Sequence, residues 1–192
     1  MHPDISVLPS RLFYGGRLLD GPNMTVKTQR PWHDHPKFGP YRFYNVLRGV
    51  EETGSSHSFL NRAEAEVAAA LYNRMHTEFI SRGTNFTVGV VTMYKAQMNE
   101  LRRTFERRFG STTTGIVDFN TVDGFQGQEK DVIILSCVRA GPGVERVGFL
   151  AGEMTPWLLS SDRSTRHRRE ANERCSYTCQ VFCVHSRQCG NP

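Results

Sequence analysis

The sequence has 192 residues, of which 38% are hydrophobic and 22% are charged, a composition typical of one globular domain with its own core. No apolar run reaches the roughly 18–20 residues that cross a membrane, and the segment Met1–Asp4 does not begin a secretory signal. We therefore predict a nuclear or cytoplasmic protein with no membrane partner. The net charge of +5 permits nucleic-acid binding but does not by itself establish it.

The first 60 residues are rich in turn formers. Proline and glycine recur from Pro3 to Pro40, which predicts mostly loops and short elements. The aromatic, alternating segment Tyr41–Leu47 predicts a strand. His33 and His35 lie in this proline-rich region without further metal ligands nearby, so we predict no metal site there.

Helical and strand patterns alternate after this region. Asn61, followed by Glu64 three residues later, has the spacing of a capping box and predicts a helix that ends at Gly83. The predicted elements that follow are a strand at Thr87–Thr92, a helix at Tyr94–Phe109, a strand at Ile116–Phe119 and an apolar strand at Val132–Val138. This order predicts an α/β fold with a parallel sheet covered by helices on both faces.

A polar, glycine-containing run, Thr121–Asp131, precedes the last predicted strand. Taken alone, the run is interpreted most simply as a surface turn. Its glycines also allow a ligand to approach the backbone closely. Together with the strand that follows, the run resembles motif V of superfamily 1 helicases, in the group that includes senataxin and the nonsense-mediated-decay helicase. The pattern of that group is close to V-D-G/A-F/Y-Q-G-R/Q-E-K-D-x-I-I-L-S-C-V-R-A.

The resemblance extends over residues 1–151. Met1–Ser6 and Phe13–Pro22 resemble the opening of the second RecA-like domain of these helicases. That opening reads Q-Y-R-M-H-P, and its M-H-P corresponds to the first three residues of this sequence. Val91–Gln97 resembles the family's T-P-Y-K-x-Q motif, with Met93 in place of proline. The resemblance implies a RecA-like α/β domain that lacks the P-loop domain, and it implies that the Arg and Tyr preceding M-H-P are missing from this sequence.

The same resemblance implies two sets of ligand contacts. The nucleic-acid backbone would be contacted by Thr92, Thr121 and Tyr94, and the nucleotide would be bordered by Gly127 and Glu129, with Gln126 linking the two sites. Hydroxyl and amide groups hold phosphates without reading base sequence. Considered without the resemblance, Thr92 is equally well explained as an ordinary strand-end residue.

Two features of an ATPase are absent from the sequence. It contains no G-x-x-x-x-G-K-[ST] loop and no acidic pair after an apolar strand to hold Mg²⁺. We therefore predict a fragment of an ATP-dependent RNA or DNA helicase, with half of the ATP site and half of the single-strand track. ATP and Mg²⁺ would belong to the full-length parent together with the missing first RecA-like domain, and we expect neither to bind tightly to this chain. The alternative is a non-catalytic module, a natural truncation or pseudogene product, that binds nucleic acid or a helicase partner.

Residues 152–192 carry no helical or strand periodicity, so we predict a disordered tail and a sheet that lacks its terminal strand. Four of the five cysteines lie here, and one interpretation is a zinc site formed by Cys175, Cys179, Cys183, His185 and Cys189. Their spacing matches no common zinc finger.

A second interpretation treats the tail as a retained intron followed by an out-of-frame exon. Codons for Glu170 onward, shifted by one base, can read R-R-M-N-V-A-L-T-R-A-K, which is motif VI of the same helicases. An intron donor fits the codons of Gly152–Glu153 and an acceptor fits those of His167–Arg168. Sequencing of cDNA across these codons separates the two interpretations.

Overall fold

A computed structural model describes residues 2–54, 57–111, 113 and 116–139, and the backbone of residues 179–186. The helices are α1 (Pro3–Phe13), α2 (Met24–Lys27), α3 (Arg62–Glu78), α4 (Lys95–Phe109) and α5 (Val122–Phe125). The strands are β1 (Tyr41–Val46), β2 (Glu52–Thr53), β3 (Phe59–Leu60), β4 (Val88–Thr92), β5 (Val117–Thr121), β6 (Lys130–Ser136) and β7 (Cys179–Ser186). No helix in the described part of the chain is long and apolar enough to cross a membrane.

The main sheet has five strands in the order β1-β7-β6-β4-β5, and β2 and β3 form a separate hairpin. Strand β4 pairs in parallel with β5 on one side and with β6 on the other. Parallel neighbours require crossover connections, and α4 supplies the one between β4 and β5. The predicted RecA-like α/β fold with a parallel sheet is confirmed.

The core lies between this sheet and the helices α3 and α4. Rows of apolar side chains cross the three parallel strands in register, for example Val90 beside Phe119 and Ile134. These residues are buried and pack in one cluster with the alanine-rich face of α3 and with Leu101 and Phe105 of α4. Side chains alternate between the two faces of a strand, so Gly89 faces away from this core.

The prediction of mostly loops and short elements before residue 60 missed the helix at Pro3–Phe13, which form the 11-residue α1. His2 caps the helix by accepting a hydrogen bond from the backbone N–H of Asp4 at 3.2 Å, and Pro3 occupies the first position, where no N–H is needed. Pro9 lies inside the helix. A proline at this position removes one backbone hydrogen bond. The loss of one hydrogen bond does not end a helix whose N-terminus is well capped, so Pro9 alone does not mark a helix end.

The prediction that no strand follows Ala151 is wrong for Cys179–Ser186, which form β7. This strand lies between β1 and β6 and is antiparallel to both, in a sheet whose other strands all run one way. Its sequence places Val181, Phe182 and Val184 close together, and β-branched and aromatic residues favour strands. The run is too short for periodicity to detect. The rest of the tail lies outside the described residues, and so do the side chains of the proposed zinc ligands.

His33 lies in a buried pocket next to Trp32, with an exposed fraction of 9%. The His2 ring packs edge-on against it, with ring centroids 5.2 Å apart. Burial and, to a smaller extent, the neighbouring His2 and Arg30 lower the pKa of His33 to about 4, against the smaller opposing effect of Asp34 and Asp4. The folded protein therefore holds this imidazole neutral.

A pH dependence of stability follows from His33. The unfolded chain takes up a proton near the ordinary value of 6.5, whereas the folded chain does so only near 4. The contribution of His33 to the free energy of unfolding is therefore complete above pH 6.5, falls as the pH drops toward 4, and levels off below. Urea unfolding at several pH values measures it, with a slope of up to roughly 1.4 kcal/mol per pH unit.

The matched variants are His33→Gln and His57→Gln, since His57 is exposed. We expect the His33→Gln protein to lose most of this slope and the His57→Gln protein to keep it. An equal slope in all three proteins would contradict the assignment.

Candidate nucleic-acid and nucleotide site

Three hydroxyl residues line up at the carboxyl edge of the parallel strands. Thr92 at the end of β4 is in register with Thr121 of β5 and with Ser136 of β6. Ligands of open α/β sheets bind outside this edge. The alignment is a direct result of the register, because each strand ends on a hydroxyl residue at the same level. The sequence analysis identified Thr92 and Thr121 but missed Ser136.

Thr92 and Tyr94 differ in accessibility. The side chain of Thr92 is fully buried, and its hydroxyl accepts a hydrogen bond from the backbone N–H of Tyr94 at 3.5 Å. Tyr94 is half-buried and packs edge-on against Phe59 of the β2–β3 hairpin, with ring centroids 5.6 Å apart. Contact between Thr92 and a phosphate therefore requires movement at this edge, whereas Tyr94 is already within reach of the surface.

Thr121 begins the short helix α5. Its hydroxyl accepts a hydrogen bond from the backbone N–H of Gly124 at 3.3 Å, which is the interaction of an N-cap residue. Asn120 supports the same turn, since its side chain donates to the Gly124 carbonyl at 2.8 Å and accepts from the Thr121 N–H at 3.0 Å. A side chain at position 124 would overlap with Asn120, which explains the glycine in the motif.

The predicted nucleotide residues Gln126, Gly127 and Glu129 lie in the loop that returns from α5 to β6. All three are exposed, and Gly127 has a φ of +80°, a conformation that glycine adopts without strain. Because β6 is parallel to β5, this loop leads away from the hydroxyl row toward the start of β6. The structure thus brings Thr92, Tyr94 and Thr121 together and places the nucleotide residues apart from them.

Phe125 attaches this motif to the sheet. A Cβ atom built on Gly89 would lie 2.7 Å from the tip of the Phe125 ring and 3.0 Å from Ile133. The aromatic ring therefore occupies the space that any larger residue at position 89 would need. Gly89 in β4 is the reason why α5 can lie against the face of the sheet opposite the core.

A buried polar network lies directly behind the hydroxyl row. Glu64 is fully buried and accepts hydrogen bonds from the Ser136 hydroxyl at 2.5 Å and from the Val138 N–H at 2.9 and 3.0 Å. Gln97, also fully buried, donates to the Ser136 hydroxyl at 3.0 Å. The network joins the carboxyl end of β6 to the first turns of α3 and α4.

The predicted capping box at Asn61 is therefore only half formed. Asn61 accepts from the Glu64 N–H at 3.2 Å, but the Glu64 carboxylate does not return to Asn61. The Asn61 N–H donates instead to the Gln97 side chain at 2.7 Å. The position of Glu64 on the helix could have shown that its carboxylate turns inward and does not cap the helix. Glu64 lies on the same helical face as the buried residues Ala68, Leu71 and Met75.

Comparisons with known proteins find a matching family model and several similar proteins. The family model described as an AAA domain matches residues 1–154. The chain is 42% identical over 178 residues to "Helicase SEN1" of Saccharomyces cerevisiae, an alignment covering 85% of this chain and 8% of that protein. It is 46% identical over 152 residues to "Helicase sen1" of Schizosaccharomyces pombe, covering 78% of this chain and 9% of that protein.

A third relative is the "Regulator of nonsense transcripts 1 homolog" of Drosophila melanogaster, which is 36% identical over 158 residues, or 78% of this chain and 13% of that protein. The chain thus spans only a small part of the length of these relatives.

Replacement of Gly89 by alanine tests how the motif is attached. The added methyl group meets Phe125 and Ile133, and overpacking of this kind costs about 1–3 kcal/mol. We expect Gly89→Ala to lower the free energy of unfolding by that amount in urea titrations. Adding Phe125→Leu should recover part of the loss in a double-mutant cycle. Strictly additive effects of the two changes would show that Phe125 does not pack on Gly89.

Proposed function

Because the chain belongs to the AAA-domain family and to the superfamily 1 helicase group of senataxin and the nonsense-mediated-decay helicases, we propose that it forms the second RecA-like half of an ATP-dependent helicase. In this proposal its carboxyl edge holds a single strand of RNA or DNA, and its motif V loop borders ATP. The parent protein would act in the nucleus or cytoplasm.

The observation that carries the proposal is the alignment of Thr92, Thr121 and Ser136 at one edge of the sheet. Hydroxyl groups and backbone amides bind phosphates in any base sequence, which suits a protein that moves along a strand. The half-buried Tyr94 beside this row adds an aromatic ring, and aromatic rings stack with unpaired bases of any kind. In the proposal, Thr121 and Tyr94 contact the strand first, and Thr92 joins after the edge shifts.

The nucleotide half of the proposal rests on the exposed loop of Gln126, Gly127 and Glu129. The sequence contains no P-loop lysine to neutralise a β- or γ-phosphate, and no carboxylate pair for Mg²⁺. This loop would therefore border a nucleotide that the first RecA-like domain of the parent holds together with Mg²⁺. We expect weak nucleotide binding and no ATP hydrolysis from the chain alone.

Binding of a labelled single strand tests the proposal. Fluorescence anisotropy with a short fluorescein-labelled oligouridylate or oligothymidylate should give weak binding that falls steeply with added KCl, because phosphate contacts release counterions. The same preparation should release no phosphate from ATP above the background rate. Absence of binding to both oligonucleotides at low salt would contradict the proposal, and hydrolysis of ATP by this chain would contradict the division of the site.

The contact at Thr121 has its own set of variants. Thr121→Ser keeps both the helix cap and the hydroxyl donor, so we expect unchanged binding and stability. Thr121→Asp also caps a helix, but its negative charge repels a phosphate. We therefore expect the Thr121→Asp protein to melt near the wild-type temperature and to bind the oligonucleotide several-fold more weakly. Wild-type affinity in the Thr121→Asp protein would remove Thr121 from the site.

A further inference from the structure

Val138, two residues after the end of β6, has a φ of +71°. This left-handed conformation is rare for any residue other than glycine, and for a β-branched residue it is a genuine outlier. Such strain persists only where the surrounding structure enforces it. The side chain of Val138 is fully buried, so the conformation is fixed inside the domain and not at a loose surface turn.

Both backbone polar groups of Val138 are held by buried side chains. Its N–H donates to the two carboxylate oxygens of Glu64 at 2.9 and 3.0 Å, and its carbonyl accepts from the Asn61 side chain at 3.3 Å. The Ser136 hydroxyl and Gln97 fix the Glu64 carboxylate from the other side. The buried network therefore enforces the unusual backbone direction immediately before Arg139.

Arg139 follows this turn, and its side chain contacts Phe59 of the β2–β3 hairpin and Glu51 just before it. Its guanidinium carbon lies 4.5 Å from the centre of the Phe59 ring, and Phe59 in turn packs against Tyr94. The Nε atom of Arg139 is 2.9 Å from a carboxylate oxygen of Glu51, but the two groups are not aligned as a hydrogen bond. The contact with Glu51 is therefore an ion pair without a hydrogen bond.

We propose that Arg139 binds a phosphodiester group of the single strand, and that Glu64 positions it through the left-handed conformation of Val138; this inference rests on the proposed function. Arginine carries five N–H donors in a planar fork that matches phosphate oxygens. The Phe59 ring holds the guanidinium plane in place, and the terminal nitrogens of Arg139 have no acceptor within the described residues. Glu51 shields the charge of Arg139 until a phosphate displaces it.

The first test compares two arginines. Arg139→Ala is measured beside Arg107→Ala, and each variant loses one positive charge. Arg107 is the control because it lies in the last turn of α4 and pairs with Glu66 at 2.5 Å. We expect Arg139→Ala to weaken oligonucleotide binding about tenfold, to do so equally for oligouridylate and oligothymidylate, and to reduce the salt slope by about one. Arg107→Ala should leave the affinity and the slope near wild type.

The ion pair gives a change in the opposite direction. Glu51→Gln removes the competing carboxylate but keeps a side chain of the same shape, so we expect tighter binding than in the wild-type protein. In the double variant Glu51→Gln with Arg139→Ala this gain should disappear. A gain that persists without Arg139 would mean that Glu51 acts through general charge repulsion, and it would overturn the pairing.

The positioning role of Glu64 is tested by Glu64→Gln and by the milder Ser136→Ala. Each variant is combined with Arg139→Ala in a binding cycle, and melting curves are recorded in parallel. We expect each single variant to weaken binding of the folded protein, and the double variants to bind no more weakly than Arg139→Ala. A purely structural role predicts a lower melting temperature with wild-type affinity in the fraction that is folded, and that outcome would overturn the positioning role.

The outcomes for Arg139 separate this inference from the proposed function. Wild-type protein that binds both oligonucleotides, together with an Arg139→Ala protein of equal affinity, would overturn the inference and leave the function standing. Wild-type protein that binds neither would overturn both. A fluorescent ATP analogue distinguishes the source of phosphate, since loss of analogue binding without loss of oligonucleotide binding in Arg139→Ala would also overturn the inference.

Discussion

The structure depends on one buried carboxylate. Glu64 has no exposed surface, and its carboxylate accepts hydrogen bonds from the Ser136 hydroxyl and the Val138 N–H. A buried carboxylate is tolerated only where hydrogen bonds replace the lost water. This requirement fixes where α3 begins relative to the end of β6, and Gln97 adds the start of α4 to the same point. Elements that are distant in sequence are thereby joined at the edge of the sheet where a ligand would bind.

The same constraint gives the carboxyl edge its properties. Parallel pairing aligns Thr92 with Thr121 and Ser136, but only Ser136 is used by the buried network, so the three hydroxyl groups are not equivalent. Thr121 caps α5 and stays at the surface, while Thr92 is covered. Rigid polar networks of this kind fix the geometry of a site because breaking any one bond leaves a buried group unsatisfied. The part of the edge around Ser136 is therefore fixed by the domain's own hydrogen bonds.

Periodicity and motif resemblance predicted the strands β4, β5 and β6 and the helices α3 and α4, because each carries a regular apolar pattern that burial requires. The same reasoning failed where one residue has two physically sensible roles. Glu64 has capping-box spacing, and only the tertiary fold decides that its carboxylate turns inward to Ser136. Pro9 usually interrupts a helix, yet the cap at His2 and the proline at position 3 stabilise α1 around it. Strand β7 forms because it can pair with both β1 and β6. Both strands are distant in sequence, so the local residue pattern of β7 does not reveal the pairing. Motif resemblance identified Thr121 and Tyr94 of the candidate site. Arg139 became a candidate only through the φ of Val138, which the sequence does not reveal.

The two halves of the proposed site are built in opposite ways. The edge beside Thr121 is backed by buried side chains whose hydrogen bonds are satisfied inside the domain. The loop of Gln126, Gly127 and Glu129 is exposed, and the side chains of Gln126 and Glu129 make no hydrogen bond within the described residues. The buried network behind Ser136 has one geometry, whereas an exposed loop needs a second surface to define its conformation. In the proposed site, the part of the edge that this network holds is therefore a property of this domain, and the nucleotide half needs a ligand or another domain to cover the loop. In the proposed site, covering the loop would therefore change the freedom of the loop far more than it changes the freedom of the buried network behind the edge.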